Sequence, residues 1–348
     1  MTEETTRQVL PTATGFSARQ ALAALQNRGV AVDPVLRRVG LSARDFDNRQ
    51  GRISASAQSK LLGYAAEALN DSAFGLHLAQ RVNPREVGLL FYVGSAAKHV
   101  REAVALYARY CRIVNEAIRV KVLEAEGGVV VELTFVGVSR HLARQNAEFG
   151  MAAAIKALRE ITGRNIHPTR VSFAHAGDSN RRELERFFGC PVEFGASIDQ
   201  IALSNETLAL PLITEDRHLL EALQPICDEA AKERNTAEGT LRASVENEVQ
   251  RLLHHGTAQR ETVAKKLAMS TRTLARRLAD ENTTYEEVVD HLRRSLALQY
   301  VKEPSLSLSQ IAWLLGYEGS SSFNHAFLRW TGRSPSSARN EKQLPAPR

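Results

Sequence analysis

Three arginines lie close together in the last third of the chain. Arg272, Arg276 and Arg277 are interspersed with Leu274 and Leu278, which are four residues apart and would lie on one face of a helix. A helix here would bury the leucines and leave the arginines exposed. An exposed guanidinium can bond a phosphate or fork onto guanine. The pattern predicts a nucleic-acid-binding helix, and a merely solvated basic face is the alternative.

The net charge of the chain is concentrated around these arginines. Residues 241–348 carry 16 Lys/Arg against 11 Asp/Glu, whereas residues 1–240 carry 29 against 28, so +5 of the total of +6 lies in the last third. A basic excess confined to one segment is typical of a phosphate-binding surface.

Catalytic and metal-binding patterns do not emerge. Cys111, Cys190 and Cys227 form no C-x-x-C pair and no Cys/His cluster with metal-ligand spacing. We find no glycine-rich phosphate loop and no nucleophile with a supporting base. We therefore expect no enzyme activity, no catalytic residue, no metal and no cofactor.

Composition and length narrow the class of protein. The 348 residues are 43% hydrophobic and 24% charged, as in ordinary globular proteins of about two domains. Uncharged apolar stretches reach about half of the roughly 20 residues that a membrane span requires. The N-terminus lacks the basic and apolar regions of a signal peptide. We expect a cytoplasmic protein with no membrane partner.

Two similar helical units surround a longer helix in the last third. Residues 259–268 and 271–280 predict two short helices, with Ser270 placed to cap the second, which is helix-turn-helix spacing. Residues 309–315 and 320–331 repeat it. The residues expected to form the core are Val263, Leu267, Leu274, Leu278, Ile311, Leu315, Phe323, Phe327 and Trp330. Pro335 is expected to start or break a terminal helix.

The longer helix lies between the two units. Thr284, followed by Glu286 and Glu287, is a capping signal, and the helix must end before Pro304. Such a connector can hold the two units at a fixed separation. Adjacent major-groove faces recur about 34 Å apart, so both second helices can enter one side of a duplex.

The first two-thirds predict an α+β fold. Helices, one of them over residues 103–118, precede a period-two pattern around Gly127-Gly128 that indicates a β-hairpin. A helix over residues 140–162 and short strands near residues 169–174, 192–194 and 201–203 follow. The polar run 235–239 is the best linker candidate. We expect a first domain over 15–215, a linker helix and linker over 216–239, and an all-α domain over 240–340.

These motifs resemble the AraC/XylS-type transcription regulators. The residues that carry the resemblance are 270–278, Ile311-Ala312, Leu315-Gly316-Tyr317, Phe323, Phe327 and 330–335. Residues 189–194, Gly88-Leu89-Leu90 and the 103–118 helix are similar to the non-cupin, arabinose-binding-like effector domain of one branch. The long helical start departs from a cupin, so sugar-pocket residues cannot be transferred and no effector-binding residue follows.

The resemblance implies which residues contact DNA. The base-contacting positions of the family fall on Arg272, Ala275 and Arg276 in the first recognition helix. In the second they fall on Ser320, Ser321, Ser322 and His325. Ala275 stands where a long polar side chain is common and His325 where Arg is common. Arg277 is expected to contact phosphate or a neighbouring carboxylate.

Simpler roles compete for several residues. Helix capping is expected to account for at least one of Ser320, Ser321 and Ser322. Arg109 and Arg112 can grip a carboxylate ligand or face solvent. Tyr107 and Tyr110 are expected in the core, and His141 and His175 have no identifiable partner in the sequence.

The resemblance implies a sequence-specific, ligand-responsive transcription activator. Its expected partners are double-stranded DNA, RNA polymerase, an unidentified small-molecule effector and a second copy of the chain. Alternatives are a regulator that responds to a protein partner, a nonspecific architectural DNA binder, and a DNA-repair methyltransferase. The methyltransferase requires an acceptor cysteine and a zinc-binding cysteine cluster, which this sequence lacks.

Overall fold

The chain divides into two compact units. The computed structural model describes residues 10–48, 51–176, 180–234, 240–253, 257–301, 303 and 306–340. The first unit is formed by residues within 1–175 and 180–240, and the second chiefly by residues from Leu241 onward. The predicted linker run 235–239 lies outside the described residues.

The first unit contains ten of the helices that the structure describes. They are α1 (Phe16–Asn27), α2 (Val32–Arg38), α3 (Ala55–Ala68), α4 (Phe74–Arg81), α5 (Leu89–Ser95), α6 (Val100–Val114), α7 (Arg144–Thr162), α8 (Arg181–Phe188), α9 (Asn205–Leu208) and α10 (Arg217–Glu233). Two short antiparallel strands, β1 (Thr12–Ala13) and β2 (Ile53–Ser54), join the start of the chain to the start of α3.

A five-stranded sheet completes the first unit. Its strands are β3 (Ile118–Ala125), β4 (Gly128–Phe135), β5 (Arg170–Phe173), β6 (Val192–Phe194) and β7 (Asp199–Ser204), in the spatial order β3-β4-β7-β5-β6. All pairs are antiparallel except the parallel pair β5 and β6. The predicted α+β fold is therefore confirmed.

The hairpin between β3 and β4 has the predicted glycines at its turn. Gly127 adopts a φ of 81°, which glycine reaches without strain. Gly128 pairs with Ser204 of β7, and a Cβ on Gly128 would lie 1.9 Å from the Leu203 carbonyl oxygen. Only glycine allows β4 and β7 to approach this closely.

Helix α6 ends earlier than the predicted 103–118 helix. Its last residue is Val114, and Ile118 already belongs to β3. Asn115 leaves the helical region with φ −146° and ψ 108°, and its Oδ1 accepts a hydrogen bond from the Ala117 N–H at 3.0 Å. That local bond competes with a further helical turn.

Helix α10 packs on α6 through the arginines for which a carboxylate ligand was considered. Arg109 Nη2 lies 2.7 Å from Asp228 Oδ1, and the Tyr110 hydroxyl donates to the same oxygen at 2.7 Å. Arg112 Nη2 donates to the Arg234 carbonyl at 2.6 Å. Arg109 and Arg112 therefore contact α10 and the residue that follows it, more than a hundred positions later, while the Arg109 side chain remains 58% exposed.

A buried charged cluster joins α7 to the loop that follows β5. The Glu148 side chain is fully buried; its Oε1 lies 3.1 Å from His175 Nε2 and 3.3 Å from Arg144 Nε. Asn180 Nδ2 donates to Oε2 at 3.0 Å. Burial raises the pKa of Glu148, but the His175 hydrogen bond and the Arg144 charge lower it by more, to below its usual value. The sequence identifies no partner for His175, and folding brings the Glu148 carboxylate within 3.1 Å of its Nε2.

His77 links α4 to α8 and should make stability depend on pH. Its Nδ1 lies 2.8 Å from Asp71 Oδ2 and its Nε2 lies 3.2 Å from Glu183 Oε1. Burial lowers the pKa of His77, and the hydrogen bonds to the two carboxylates raise it by more, so the net pKa is raised. Its stabilisation is therefore complete below the unfolded pKa near 6.5 and is lost as pH rises through the folded pKa.

We expect His77→Gln to flatten the dependence of stability on pH. Urea unfolding between about pH 6 and about pH 8 should show a smaller loss of stability for His77→Gln than for the wild type. His218→Gln, at an exposed position on α10, is the control. Parallel curves for the wild type and His77→Gln would show that this contact does not titrate as described.

All regular secondary structure among the described residues of the second unit is helical. Its helices are α11 (Leu241–Leu252), α12 (Arg260–Lys266), α13 (Thr271–Asp280), α14 (Tyr285–Tyr300), α15 (Leu308–Leu314), α16 (Ser320–Thr331) and α17 (Pro335–Asn340). They enclose a separate apolar core. Among the described residues of both units, no helix combines the length and hydropathy that a bilayer crossing requires.

Candidate nucleic-acid interface and an internal cavity

Helices α12 and α13 form the first helix-turn-helix motif. Val263, Leu274 and Leu278 are fully buried between them, as their spacing predicts. Ser270 caps α13 by accepting a hydrogen bond from the Thr273 N–H at 3.1 Å. The turn contains Ala268 at φ 54°. An L-residue in this left-handed region costs roughly 1 to 2 kcal/mol, so the packing of the two helices sustains a strained turn.

The outer face of α13 carries all four residues proposed from sequence. Arg272, Ala275, Arg276 and Arg277 are exposed. Arg272 and Arg276 lie four residues apart and share a face, whereas Arg277 points about 100° away from Arg276.

Arg276 already contacts a carboxylate in the free protein. Its Nη1 lies 3.9 Å from Asp280 Oδ2, and the two side chains are 71% and 65% exposed. An ion pair this open to water contributes little to stability. Arg276 can therefore exchange Asp280 for a phosphate or a base at little cost.

Helices α15 and α16 form the second helix-turn-helix motif. Phe323 and Phe327 of α16 are fully buried, and so are Ile311 and Leu315, as predicted. Gly316 in the turn has a φ of 72°, and a Cβ there would lie 2.5 Å from the Leu253 carbonyl oxygen. Trp330, expected in the core, is only partly buried, and its Nε1 donates to Asp290 Oδ2 at 2.9 Å.

The serines at the start of α16 are not its cap. Ser320, Ser321 and Ser322 are exposed, and so is His325 one turn later. The cap position is held by Gly319, with no side-chain hydrogen bond there. The expectation that at least one serine caps the helix is wrong, because Ser320 already has helical geometry. The three hydroxyls lie on the outer surface of the first turn.

Helix α14 contacts both helix-turn-helix motifs and so fixes them in one domain. At its start, Thr284 and Glu287 form the predicted capping box, the Tyr285 hydroxyl donates to the Ala258 carbonyl at 3.1 Å, and Glu286 pairs with Arg260. The Tyr285 and Glu286 contacts hold the first helix-turn-helix motif.

Two side chains in the middle of α14 contact the second helix-turn-helix motif. Asp290 accepts from Trp330 and pairs with Arg329, and Arg293 Nε donates to the Leu315 carbonyl at 3.0 Å. Sequence reasoning missed Asp290 and Arg293, because spacing within one helix gives no sign of which loop faces it.

The local electrostatics preserve these contacts near neutral pH. The Arg260 hydrogen bond holds the pKa of Glu286 below its usual value, so the carboxylate is ionised. Burial raises the pKa of Tyr285 to about 12, so its hydroxyl remains a donor. Among the described residues, no group of three or more potential metal ligands occurs.

The first unit contains a partly open cavity of about 200 Å³. Helices α5, α6 and α7 and strands β3, β4 and β7 form most of its wall. Tyr107 lines it, whereas Tyr110 is fully buried and turns toward α10. Tyr107 is therefore only partly the core residue predicted from sequence.

The second unit has the architecture of a DNA-binding domain with two helix-turn-helix motifs. A family model described as a helix-turn-helix domain matches residues 263–341. A model described as the arabinose-binding domain of AraC transcription regulator, N-terminal, matches residues 29–212, more than half of the chain. The chain therefore belongs to the AraC-type transcription regulators, and the resemblance seen in the sequence is confirmed.

Two curated relatives of similar length support the same assignment. The ornithine utilization regulator of Pseudomonas aeruginosa is 30% identical over 301 residues, which cover 84% of this chain and 86% of the relative. The HTH-type transcriptional regulator VirS of Mycobacterium tuberculosis is 28% identical over 312 residues, covering 87% and 88%. The crystal structure of transcriptional regulator CdpR from Pseudomonas aeruginosa aligns over 93% of this chain and 98% of its own, with 24% identity and a TM-score of 0.47. The chain is a sequence-specific DNA-binding transcription regulator.

Proposed function

We propose that this chain is a ligand-responsive transcription activator, and not an enzyme, that acts in the cytoplasm, where it would bind double-stranded DNA and contact RNA polymerase. The observation that carries the proposal is the pair of helices α13 and α16. Their outer faces are exposed, and α14 contacts both of the helix-turn-helix motifs to which they belong. Activation rests on the resemblance to the family.

We assign base contacts to residues on these two faces. Arg272, Ala275 and Arg276 would contact bases through α13, with Arg277 on phosphate. The second set would be Ser320, Ser321, Ser322 and His325 of α16. Serine hydroxyls accept or donate, so they suit several bases, whereas the guanidinium of Arg276 suits guanine. The Ala275 methyl suits the methyl group of thymine.

The domain roles follow the same division. We propose an effector-sensing and dimerising domain over 15–215, a linker helix and linker over 216–239, and the DNA-binding domain over 240–340. The internal cavity supports a small-molecule effector. A homodimer is supported by apolar side chains left on the surface of α10, where Leu219 is 37% and Ile226 56% exposed. Ligand would act by biasing the relative orientation of domains or subunits.

We expect Arg276→Ala and Arg277→Ala to weaken DNA binding in different ways. Arg276→Ala should cost about 1 to 3 kcal/mol on a DNA site selected by the wild type and much less on random DNA. Arg277→Ala should weaken all sequences alike and lower the slope of log affinity against log salt by about one. The difference follows from their separation on the helix surface.

Fluorescence anisotropy on both DNAs over a salt series measures both effects. Arg37→Ala on α2, remote in sequence from the DNA-binding domain, is the control for general loss of positive charge. Equal losses on selected and random DNA for Arg276→Ala would refute base contact by that residue and favour a nonspecific architectural binder.

A further inference from the structure

The cavity of the first unit has a wall without charge. No Asp, Glu, Lys, Arg or His is among the described residues that line it. Two of its polar residues can ionise, but Cys111 has its pKa raised to about 11 by burial, and burial raises the pKa of Tyr107 as well. The wall is therefore neutral near pH 7. A charged ligand group would lose its hydration there and find no counter-ion.

The space exists because α7 presents small side chains to it. Gly150, Ala153, Ala154 and Ala157 line the cavity on one side, and Gly94 of α5 lines it on another. A Cβ placed on Gly150 or Gly94 would meet no atom within 4 Å. Glycine inside a helix destabilises it by roughly 0.5 to 1 kcal/mol relative to alanine. Alanine in place of these glycines would stabilise the helices. The glycines therefore keep the cavity open at a cost in stability.

Two buried polar groups at the wall have no hydrogen-bond partner in the part of the chain that the structure describes. Ser17 of α1 is 3% exposed and Gln58 of α3 is 4% exposed, and both line the cavity. Among the described residues, neither Ser17 Oγ nor Gln58 Oε1 has a hydrogen-bond partner. A buried polar group left unsatisfied costs about 1 to 3 kcal/mol. Gln58 Oε1 can only accept a hydrogen bond, so the missing partner must be a donor.

We propose that this cavity binds an uncharged, largely apolar alcohol or phenol, whose hydroxyl donates to Gln58 Oε1 or bonds Ser17 Oγ. An apolar cavity of about 150 Å³ accepts benzene, so about 200 Å³ suits roughly eight to ten non-hydrogen atoms. The inference rests on the proposed ligand response and names its ligand class. An amino acid such as ornithine, which the name of one relative mentions, has charged groups that this wall does not match.

The ligand class can be tested with probes of one chain length. Isothermal titration of the full chain near pH 7 should show 1-octanol binding at least about tenfold more tightly than octanoate or octylammonium, because burying an unpaired charge is costly. Equal or tighter binding of either ion would overturn the proposal. So would an absence of 1-octanol binding, which would mean that Ser17 and Gln58 are satisfied by water alone.

Substitutions locate the binding site. Gly150→Leu should fill the cavity and reduce 1-octanol affinity at least about tenfold. Gly63→Leu is the matched control, because Gly63 is a helical glycine of α3 with open space around it that does not line the cavity. Equal affinity in both variants would overturn the location. Gln58→Met should weaken 1-octanol roughly three- to tenfold and leave p-xylene unchanged. If Gly150→Leu does not fold, Gln58→Met still tests whether 1-octanol binds in this cavity.

A separate readout distinguishes this inference from the proposed ligand response. If 1-octanol binds as described but leaves the affinity for selected DNA and transcription unchanged, the cavity assignment stands and the ligand response falls. If a charged metabolite changes DNA binding and Gly150→Leu abolishes that change, the ligand response stands and the ligand class proposed here is wrong.

Discussion

Replacing Glu148 by leucine is expected to lower the free energy of unfolding of the first domain by about 3 to 5 kcal/mol. The carboxylate is fully buried and contacts Arg144, His175 and Asn180 within 3.3 Å. Leucine has a similar volume but accepts no hydrogen bond. The loss therefore comes from the polar groups that Glu148 satisfies, because a buried charge without its partner is strongly destabilising.

Glu160→Leu on the same helix is the matched control. Glu160 Oε1 lies 3.1 Å from Arg85 Nε, with side chains 34% and 59% exposed, so we expect a change of no more than about 1 kcal/mol. Urea unfolding followed by circular dichroism compares the two variants. A loss for Glu148→Leu no larger than that for Glu160→Leu would show that the buried cluster contributes nothing special to the fold.

Helix positions with strong local signals were predictable from sequence. Ser270 and Thr284 occupy the capping positions that the sequence indicates, and α13 and α16 have the predicted bounds. Local bonds and apolar spacing decide these features within a few residues. The end of α6 was missed, because the turn at Asn115 depends on a side-chain bond that competes with the helix.

Contacts between distant segments were not predictable in the same way. The partners of Arg109, Arg112 and His175 come from elements far away in sequence, and no periodicity identifies them. The cavity has the same origin. Small residues on α7 are compatible with close packing, and only the positions of α5, α6 and the sheet make them a wall.

The candidate DNA-contacting residues were predictable from sequence only in part. Periodicity predicts which side chains lie on the outside of a helix, and the eight candidates are exposed as expected. They are Arg272, Ala275, Arg276, Arg277, Ser320, Ser321, Ser322 and His325. Which of them contact a base depends on how each helix enters the groove. Asp290 and Arg293 of α14 lie outside the two motifs and contact α16 and the turn before it.

A change in operator spacing should have a large effect on DNA binding. We propose that α14 holds α13 and α16 so that both enter major grooves on one side of the duplex, about one helical turn apart. Inserting about five base pairs between the two contacted segments would rotate one segment by half a turn. The protein could then engage only one segment. Since each lost base contact costs about 1 to 3 kcal/mol, affinity should fall about 100-fold or more.

The direct measurement uses an operator selected from random DNA by the full chain. Anisotropy titrations at fixed salt compare that operator, the same operator with the half-turn insertion, and a control with altered spacer bases at constant length. The account predicts that the insertion reduces affinity toward that for random DNA, while the control stays within a few-fold of the selected site. Unchanged affinity after the insertion would contradict two recognition helices held by α14 as one DNA-binding surface.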